Sequence, residues 1–283
     1  MRKKDYVSGY KCALEQVVRS FDFFEVHPIF GHAEFVAAHT AGGRSPSTSN
    51  NLLANHLASG RLIRIRRGLY ATVPRGVEAS ATAVDPYLVA SKLANDAIVA
   101  YHAAFQFFGK AYSIWRRFHY LTAKRARPFS FRSLEFVPVF EHSPIHSHSG
   151  RAEGVSEVRH AGGLVRVTTL ERALVDLLDQ PDKGGGWEEI WRSLEMVEFF
   201  DLDLVISHAT TIGSAVTAAR VGFFLEQHRE ALMVEDKHLK EFERLAPAQP
   251  RYLDSDRQSG RLVKRWNLVV PDYVLNRRWE EAG

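Results

Sequence analysis

With 283 residues, the chain is long enough to bury a large core and suggests about two domains. Its hydrophobic content of 45% excludes general disorder, and its single cysteine, Cys12, excludes an internal disulfide framework and fits a reducing compartment. The first residues contain no continuous apolar run, and no segment reaches transmembrane length. We therefore expect a cytoplasmic protein with no signal peptide and no membrane association.

Positive charge is concentrated at one end of the sequence. Residues 1–75 hold 11 Lys/Arg and 5 Asp/Glu, a balance of +6, whereas the rest of the chain holds 26 basic and 28 acidic side chains. The net charge of the whole chain is only +4. This asymmetry indicates a polyanion-binding N-terminal part and a nearly neutral body.

The first predicted elements are helices. Apolar spacing predicts one helix over residues 10–24 and a supporting helix over 30–41, in which Phe35, Val36 and Ala38 pack under the element that follows. That following element is a helix over 45–59. Its start is indicated by a serine that can cap free N–H groups and by a proline in the first turn, and its end by a glycine.

The helix over 45–59 is amphipathic in an unusual way. Leu53, Ala54 and Leu57 form its apolar stripe. With that stripe turned inward, the opposite face carries small hydroxyl and amide side chains, namely Ser47, Thr48, Asn51 and Asn55. Such side chains suit a helix in the DNA major groove, because they allow close approach and because asparagine can bond bidentately to adenine.

A basic β-hairpin is predicted directly after this helix. Residues 62–65 alternate, the chain turns at Arg66-Arg67-Gly68, and residues 69–73 return. We expect Ile63 and Ile65 to face the core and Arg64 and Arg66 to face outward. No acidic residue occurs between residues 44 and 73.

A polar helix joined to an arginine-rich hairpin is typical of a winged helix-turn-helix, which reads duplex DNA. The alternative interpretation is a polar face that is merely solvated and a charged strand edge. The candidate DNA-binding residues are Arg44, Ser47, Thr48, Asn51, Asn55, Arg61, Arg64, Arg66 and Arg67.

The rest of the chain predicts a larger α+β domain. Residues 74–81 read as a linker, and helices are expected over 85–94 and 97–108. Alternation then predicts four strands, at 118–122, 134–139, 155–159 and 163–167. Further helices are expected at 187–200, 203–212 and 214–231, with a strand at 266–270. The predicted domains are therefore a winged helix over 1–76 and an α+β domain over 82–283.

A capping box is predicted at Thr168-Thr169-Leu170-Glu171, opening a helix with a leucine stripe. In this interpretation Asp176 and Asp179 lie on the surface. An active or partner-binding site that uses Glu171 and Arg172 is the alternative.

Two other segments invite a catalytic interpretation. His142, His146 and His148, beside Glu141, could bind a transition metal, but they lack a helical metal-binding spacing and a nearby thiolate, so a polar loop is the preferred interpretation. The run Gly184–Gly186 lacks the Gly-Lys-Ser/Thr ending of a phosphate loop and reads as a helix break. We therefore predict no catalytic residues, no cofactor and no metal.

Several segments together resemble a known family. They are residues 60–70 (GRLIRIRRGLY), 100–104 (AYHAA), 167–176 (VTTLERALVD), 221–226 (VGFFLE) and 265–268 (RWNL). In this order they resemble the AbiEi-type antitoxins of type IV toxin–antitoxin, or abortive-infection, systems. The resemblance extends from about residue 28 onward, and residues 1–27 form a longer lead than many relatives have.

The resemblance implies an N-terminal winged helix that represses the operon's own promoter, where we expect inverted repeats. It also implies a C-terminal domain that counters a nucleotidyltransferase-like toxin from a neighbouring gene, often without a stable protein complex. The alternatives are a metal-dependent nuclease or other enzyme with an appended DNA-binding domain, and a stand-alone transcriptional regulator. The sequence leaves open a monomer that binds repeats cooperatively and a stable dimer.

Overall fold

The computed structural model describes residues 23–140 and 153–280, without the side chain of residue 280, and has an α+β fold. The chain divides into two compact units. The first unit comprises residues 1–95 with 158–165, and the second comprises 96–157 with 166–283. None of the described helices combines the length and the apolar character needed to cross a membrane. The predicted helix over 10–24 lies almost wholly outside the described residues.

The first unit combines short helices with a three-stranded antiparallel sheet in the order β1-β3-β2. Its elements are β1 (Ile29–Gly31), α1 (His32–Ala41), α2 (Pro46–Ala58), β2 (Leu62–Arg66), β3 (Leu69–Thr72) and α3 (Pro86–Lys92). The predicted helix over 45–59 and the predicted hairpin are confirmed within one or two residues.

The supporting helix differs from its prediction at the start and on one face. Phe30 lies in β1 opposite Tyr70 rather than in the helix, which begins only after Gly31. On the helix, Phe35 is buried as expected and Val36 is half-buried, but Ala38 is exposed. One turn after Phe35, the buried side chain is His39 and not Ala38. The Nδ1 atom of His39 lies 2.9 Å from the carbonyl oxygen of Phe35.

A cluster of five aromatic and two leucine side chains forms the core of the first unit. It consists of Phe23, Phe24, Phe30, Phe35, Leu53, Leu62 and Tyr70. Phe30 and Phe35 are completely buried, and their rings stack with centroids 5.7 Å apart. Burial of large apolar side chains is the main stabilising contribution here, at about 1.5–3 kcal/mol each.

The first unit extends beyond the predicted boundary at residue 76. Residues 74–81 have no helix or strand, as expected for a linker, but α3 belongs to the first unit. Two contacts explain why: Arg66 binds the carbonyl of Leu93, and Lys92 forms an ion pair with Glu34. The predicted helix over 85–94 is confirmed as α3, and the side chain of Asp85 caps it by accepting from the Leu88 amide at 2.9 Å.

The second unit is organised around a mixed sheet. Its strands are β4 (Ile98–Val99), β5 (Arg117–Thr122), β6 (Phe129–Phe131) and β7 (Leu134–Phe140), which lie in the order β6-β7-β5-β4. The hairpin of β8 (Val155–His160) and β9 (Gly163–Thr168) supplies residues to both units. All four predicted strands are confirmed, and β4 and β6 are additional.

The predicted helix over 97–108 is wrong in its first half. Ile98 and Val99 form β4, which pairs with Leu121 and Tyr120, and only α4 (His102–Phe107) is helical. Tyr101 links the two elements at a φ of 58°, an unusual value for a residue other than glycine. A short apolar run suits a buried strand as well as a buried helix, so its sequence pattern could not decide.

Helices cover the C-terminal part of the second unit. They are α5 (Leu170–Asp179), α6 (Trp187–Glu195), α7 (Leu202–Ile212), α8 (Ala215–Gln227), α9 (Asp236–Leu245) and α10 (Asp272–Leu275). Short strands β10 (Arg251–Tyr252), β11 (Arg261–Val263) and β12 (Leu268–Val270) form a separate sheet. The predicted helices correspond to α6, α7 and α8, although α6 and α8 end earlier than expected, and α9 was not predicted.

The start of α5 and the environment of its acids differ from expectation. Thr169, not Thr168, caps the helix, and Glu171 accepts instead from the Asp201 amide at 3.4 Å. Asp176 is not on the surface: it is buried and contacts both Arg172 and His208. The helix is covered on more than one face, which its leucine stripe alone did not indicate.

Candidate nucleic-acid interface

The polar face of α2 is exposed as predicted. Ser47, Thr48, Asn51 and Asn55 are all exposed, whereas Leu53 is buried. The helix starts where the sequence predicts, because the hydroxyl of Ser45 accepts from the Thr48 amide at 3.1 Å. The Ser45 and Thr48 hydroxyls are themselves 2.9 Å apart. The exposed face therefore carries hydroxyls and two amides and no charge.

Two polar residues on the inner face of α2 were not predicted to be buried. Ser49 is completely buried and donates to the Ser45 carbonyl at 3.2 Å. His56 is 2% exposed, and Phe24 lies edge-on to its ring. Ala54, in contrast, was assigned to the apolar stripe but is exposed. The buried face of α2 therefore includes Ser49 and His56 and excludes Ala54, so it is rotated around the helix axis relative to the predicted apolar stripe.

Burial keeps two histidines of this unit neutral near pH 7. The pKa of His56 is lowered to about 4, first by burial, then by the positive charge of Arg61 and, where His39 is protonated, by that of His39. The pKa of His39 is also lowered, mainly by burial, and the charge of Arg44 contributes. Neutral imidazoles under an arginine-rich surface avoid additional like-charge repulsion inside the core.

A bulge in the β2–β3 hairpin determines which side chains face outward. The register shifts between Arg64 and Arg66, so that Leu62 and Ile65 are both buried while Ile63 is only half-buried. The expectation that Ile63 and Ile65 share the buried face is therefore only partly met. A bulge places two residues opposite one and reverses the alternation beyond it.

The hairpin arginines have different environments. Arg64 and Arg67 are exposed, Arg67 at the turn beside Gly68, whose φ is +80°. Arg66 is half-buried, and its Nη2 donates to the Leu93 carbonyl at 2.7 Å, which differs from the outward orientation we expected. Arg61, at the base of the hairpin, is exposed.

Arg44 lies between α1 and α2 and is half-buried. Its backbone N–H donates to the His39 carbonyl at 3.3 Å. Among the described residues, its Nη1 has no hydrogen-bond partner although it is buried. Of the nine predicted contact residues, seven are exposed, and Arg44 and Arg66 are half-buried.

His32, the first residue of α1, contacts both α2 and the hairpin, which carry most of the predicted contact residues. Its side-chain Nε2 lies 2.7 Å from Oδ1 of the exposed Asn50 on α2. Its backbone N–H donates to the carbonyl of Gly68 in the hairpin turn at 2.8 Å. Neither His32 nor Asn50 was among the predicted contact residues. The available signals were the position of His32 at the first turn of α1 and of Asn50 within a polar run.

Acidic side chains do occur near these elements: Glu25 is exposed and lines the same hollow as Arg61. The nearest acid in sequence before Arg44 is Glu34, whose carboxylate accepts from the Gly31 amide at 2.6 Å and also pairs with Lys92. Burial raises the pKa of Glu34, but the hydrogen bonds from the Gly31 amide and Lys92 and the lysine charge together outweigh it and hold the pKa below its usual value. Glu34 is thus already neutralised by its own neighbours.

Of the other segments considered in the sequence, the structure describes Gly184–Gly186 but not the histidine segment or Cys12. Glu141, His142, His146 and His148 lie outside the described residues, as does Cys12. Gly184–Gly186 lies between a short 3-10 helix (Pro181–Lys183) and α6, with Gly185 and Gly186 at positive φ, as expected for a helix break. Within residues 23–140 and 153–280, no group of three or more His, Cys, Asp or Glu side chains is arranged to hold a metal ion.

At the alternative site predicted from Glu171 and Arg172, the arginine is buried inside the protein. Arg172 is 1% exposed, and its guanidinium contacts Asp176 at 3.4 Å and the Glu153 carbonyl at 3.0 Å. The other oxygen of Asp176 lies 2.9 Å from His208. These contacts connect α5 with α7 and with the segment that precedes β8.

Comparisons with known proteins show the fold and no more. No protein-family model and no curated protein matches the sequence. Among solved structures, the chain is similar to the RV2827C protein from Mycobacterium tuberculosis, with a TM-score of 0.60, 16% sequence identity and 90% of each chain covered. At this identity the likeness shows a shared fold.

Proposed function

We propose that the first unit is a winged helix-turn-helix that binds duplex DNA. The observation that carries this proposal is the exposed, uncharged polar face of α2, formed by Ser47, Thr48, Asn51 and Asn55. The hairpin that follows has exposed arginines, and residues 44–73 contain no acidic side chain. In this proposal α1 supports the fold, α2 enters the major groove and the β2–β3 hairpin is the wing.

The two classes of side chain have different roles in this proposal. Asn51 and Asn55 meet base edges, because an amide can donate and accept in one plane and so distinguish adenine. Arg64 and Arg67 meet phosphates or the adjacent minor groove, where they add affinity and orientation but little sequence information. Arg61 is also exposed, so we assign it the same role as Arg64 and Arg67. Arg66 is assigned to holding the wing in place.

A footprinting experiment tests this assignment. The DNA upstream of the protein's own gene is probed for protection by the wild-type protein and by the Asn51→Ala variant. We expect a discrete protected site with wild type and a shift to diffuse protection with the variant. An unchanged footprint would show that the assigned helix face is wrong.

The resemblance to AbiEi-type antitoxins extends the proposal beyond DNA binding. In that case the protein represses its own promoter through the first unit and counters a nucleotidyltransferase-like toxin through the second. Co-expression with a nucleotidyltransferase encoded next to it tests this half. Restored growth supports the antitoxin function. Operator binding without rescue would instead favour a stand-alone transcriptional regulator.

A further inference from the structure

The second unit has a basic surface of its own, separate from the predicted contact residues. Between Asp96 and Glu135 the sequence contains seven Lys/Arg and no Asp/Glu. Six of these side chains are exposed, and one of them, Arg117, is paired with Glu135. We call the other five the arginine edge: Arg116, which precedes β5, and Lys124, Arg125, Arg127 and Arg132, which flank β6. An acid-free exposed basic segment is the usual footprint of a polyanion-binding surface.

The arginine edge follows one border of the sheet. Strand β6 is the outermost strand on its side, and it pairs with β7 so that Phe131 faces Leu134. Arg127 precedes β6, and Arg132 follows it in the turn to β7, where its φ is 53°. Lys124 and Arg125 continue this line in the exposed segment that leads into β6.

Most of this charge is not neutralised within the described part of the protein. There, the side chains of Arg116, Lys124, Arg125 and Arg127 form no ion pair and no hydrogen bond. Their neighbours differ, since Arg117 pairs with Glu135 at 2.7 Å and the guanidinium of Arg132 lies 5.3 Å from the Phe131 ring centre. Charged side chains can protect a strand edge, but none of these four lies on β6 itself, so the group favours an anionic partner.

A hollow beside Arg116 adds a site for a planar ring. It has a volume of about 460 Å³ and is lined by Ile114, Trp115, Arg116, Arg117, Ser133 and Glu135. Ile114 is 87% exposed, which is unusual for an isoleucine. An apolar side chain, an indole and an arginine around one opening provide the combination that stacks on a nucleobase.

The indole in this hollow is held rigidly. The Trp115 ring stacks on His102 with centroids 4.0 Å apart, and its Nε1 donates to the Ser113 hydroxyl at 2.9 Å. Ser113 in turn donates to Glu189 through both its amide, at 3.0 Å, and its hydroxyl, at 2.8 Å. Little side-chain entropy is therefore lost when a ligand binds against Trp115.

We propose that the arginine edge binds single-stranded nucleic acid, with phosphates along Arg125, Arg127 and Arg132 and an unstacked base in the hollow at Trp115. A duplex keeps its bases stacked and cannot fill the hollow, and an acidic peptide offers charge without a planar ring. This inference does not depend on the proposed function of the first unit.

Fluorescence anisotropy with labelled oligo(dT) and oligo(U) of about 12 nucleotides tests the proposal. The full-length protein is compared with the double variant Arg125→Ala/Arg127→Ala. The control is Lys237→Ala/Arg244→Ala, which removes the same charge from exposed positions on α9. We expect the edge variant to bind several-fold more weakly and the salt slope to fall by about 1.4, since each phosphate contact on a single strand contributes about 0.7.

Two further variants complete the test. One separates binding at the arginine edge from binding at the first unit, and the other separates the contribution of the hollow from that of charge. Arg64→Ala/Arg67→Ala in the first unit is expected to weaken oligo(dT) binding less than the edge variant does, because the first unit offers phosphate contacts without the hollow for a base. Ile114→Ser, at a highly exposed position, is expected to weaken binding without changing the salt slope, because it removes an apolar contact to the base and no charge. The proposal is overturned if the edge variant binds like its control, if the first-unit variant abolishes single-strand binding, or if a duplex or polyglutamate competes better than oligo(dT).

Discussion

Arg66 Nη2 donates a 2.7 Å hydrogen bond to the carbonyl of Leu93 and so fastens the hairpin to the segment after α3. A guanidinium that is half-buried and bound to backbone has a structural role. This relationship explains why α3 belongs to the first unit. It also separates Arg66 from Arg67, its neighbour at the exposed turn.

Replacing Arg66 is therefore expected to reduce stability. Arg66→Ala leaves the Leu93 carbonyl without this donor, and we expect the free energy of unfolding to fall by about 1–2 kcal/mol, since Arg66 is partly exposed. Urea unfolding measures this effect. The matched variant Arg67→Ala should unfold like wild type, and equal stability of both variants would contradict the assigned role.

Asn51 is expected to carry sequence preference. Asn51→Ala should reduce the discrimination between operator and scrambled duplex by about 1–3 kcal/mol, because one amide–base contact is lost. Competition binding with both duplexes measures the difference. Retention of the full preference by Asn51→Ala would show that another face of the protein reads the bases.

Arg64 is expected to contribute to DNA affinity but not to the preference for one DNA sequence over another. Arg64→Ala should weaken binding to operator and scrambled duplex alike and reduce the salt slope by about 0.9, as expected for one lost phosphate contact. Titrations over a series of salt concentrations give the slope. A loss confined to the operator would assign Arg64 to base recognition instead.

The buried His56 predicts acid sensitivity of the first unit. Its pKa is about 4 in the folded protein against an ordinary 6.5, so as pH falls the unfolded state binds the proton first. The contribution of neutral His56 is complete above pH 6.5 and is lost progressively toward pH 4, up to about 3 kcal/mol. His56→Leu should flatten the dependence of unfolding free energy on pH. An identical pH profile for variant and wild type would contradict the shifted pKa.

Asp176 is expected to be important for the stability of the second unit. Asp176→Ala leaves Arg172 buried without its carboxylate and removes the partner of His208, so we expect a loss of about 3–5 kcal/mol. Thermal unfolding measures this loss. The control Asp182→Ala removes a carboxylate that is 75% exposed and should change little. Similar unfolding of the two variants would refute the buried network.

Local signals in the sequence predicted the elements near the candidate interface well. The cap at Ser45, the glycine at residue 60 and the alternation of residues 62–65 are short-range features, and the structure places α2 and the hairpin accordingly. The exposed face of α2 followed from the position of its leucines. Its inner face was less predictable, because Ser49 and His56 are polar types that bury only when hydrogen bonds or ring contacts allow it.

The errors arose where distant residues decide the structure. Ile98 and Val99 are a strand because Tyr120 and Leu121 offer a ladder, which no local pattern reveals. Asp176 is buried because Arg172 and His208 meet it, and Arg66 turns away because Leu93 returns to it. The DNA-binding role of the exposed side chains and the antitoxin function stay predictions.

Fluorescence anisotropy on the DNA upstream of the protein's own gene, against a scrambled duplex of equal length at two salt concentrations, tests the central proposal most directly. We predict tight binding with a clear preference for the upstream DNA, weakening steeply as salt rises because phosphate contacts release counterions. Equal or negligible binding to the two duplexes would contradict a DNA-binding role for the first unit.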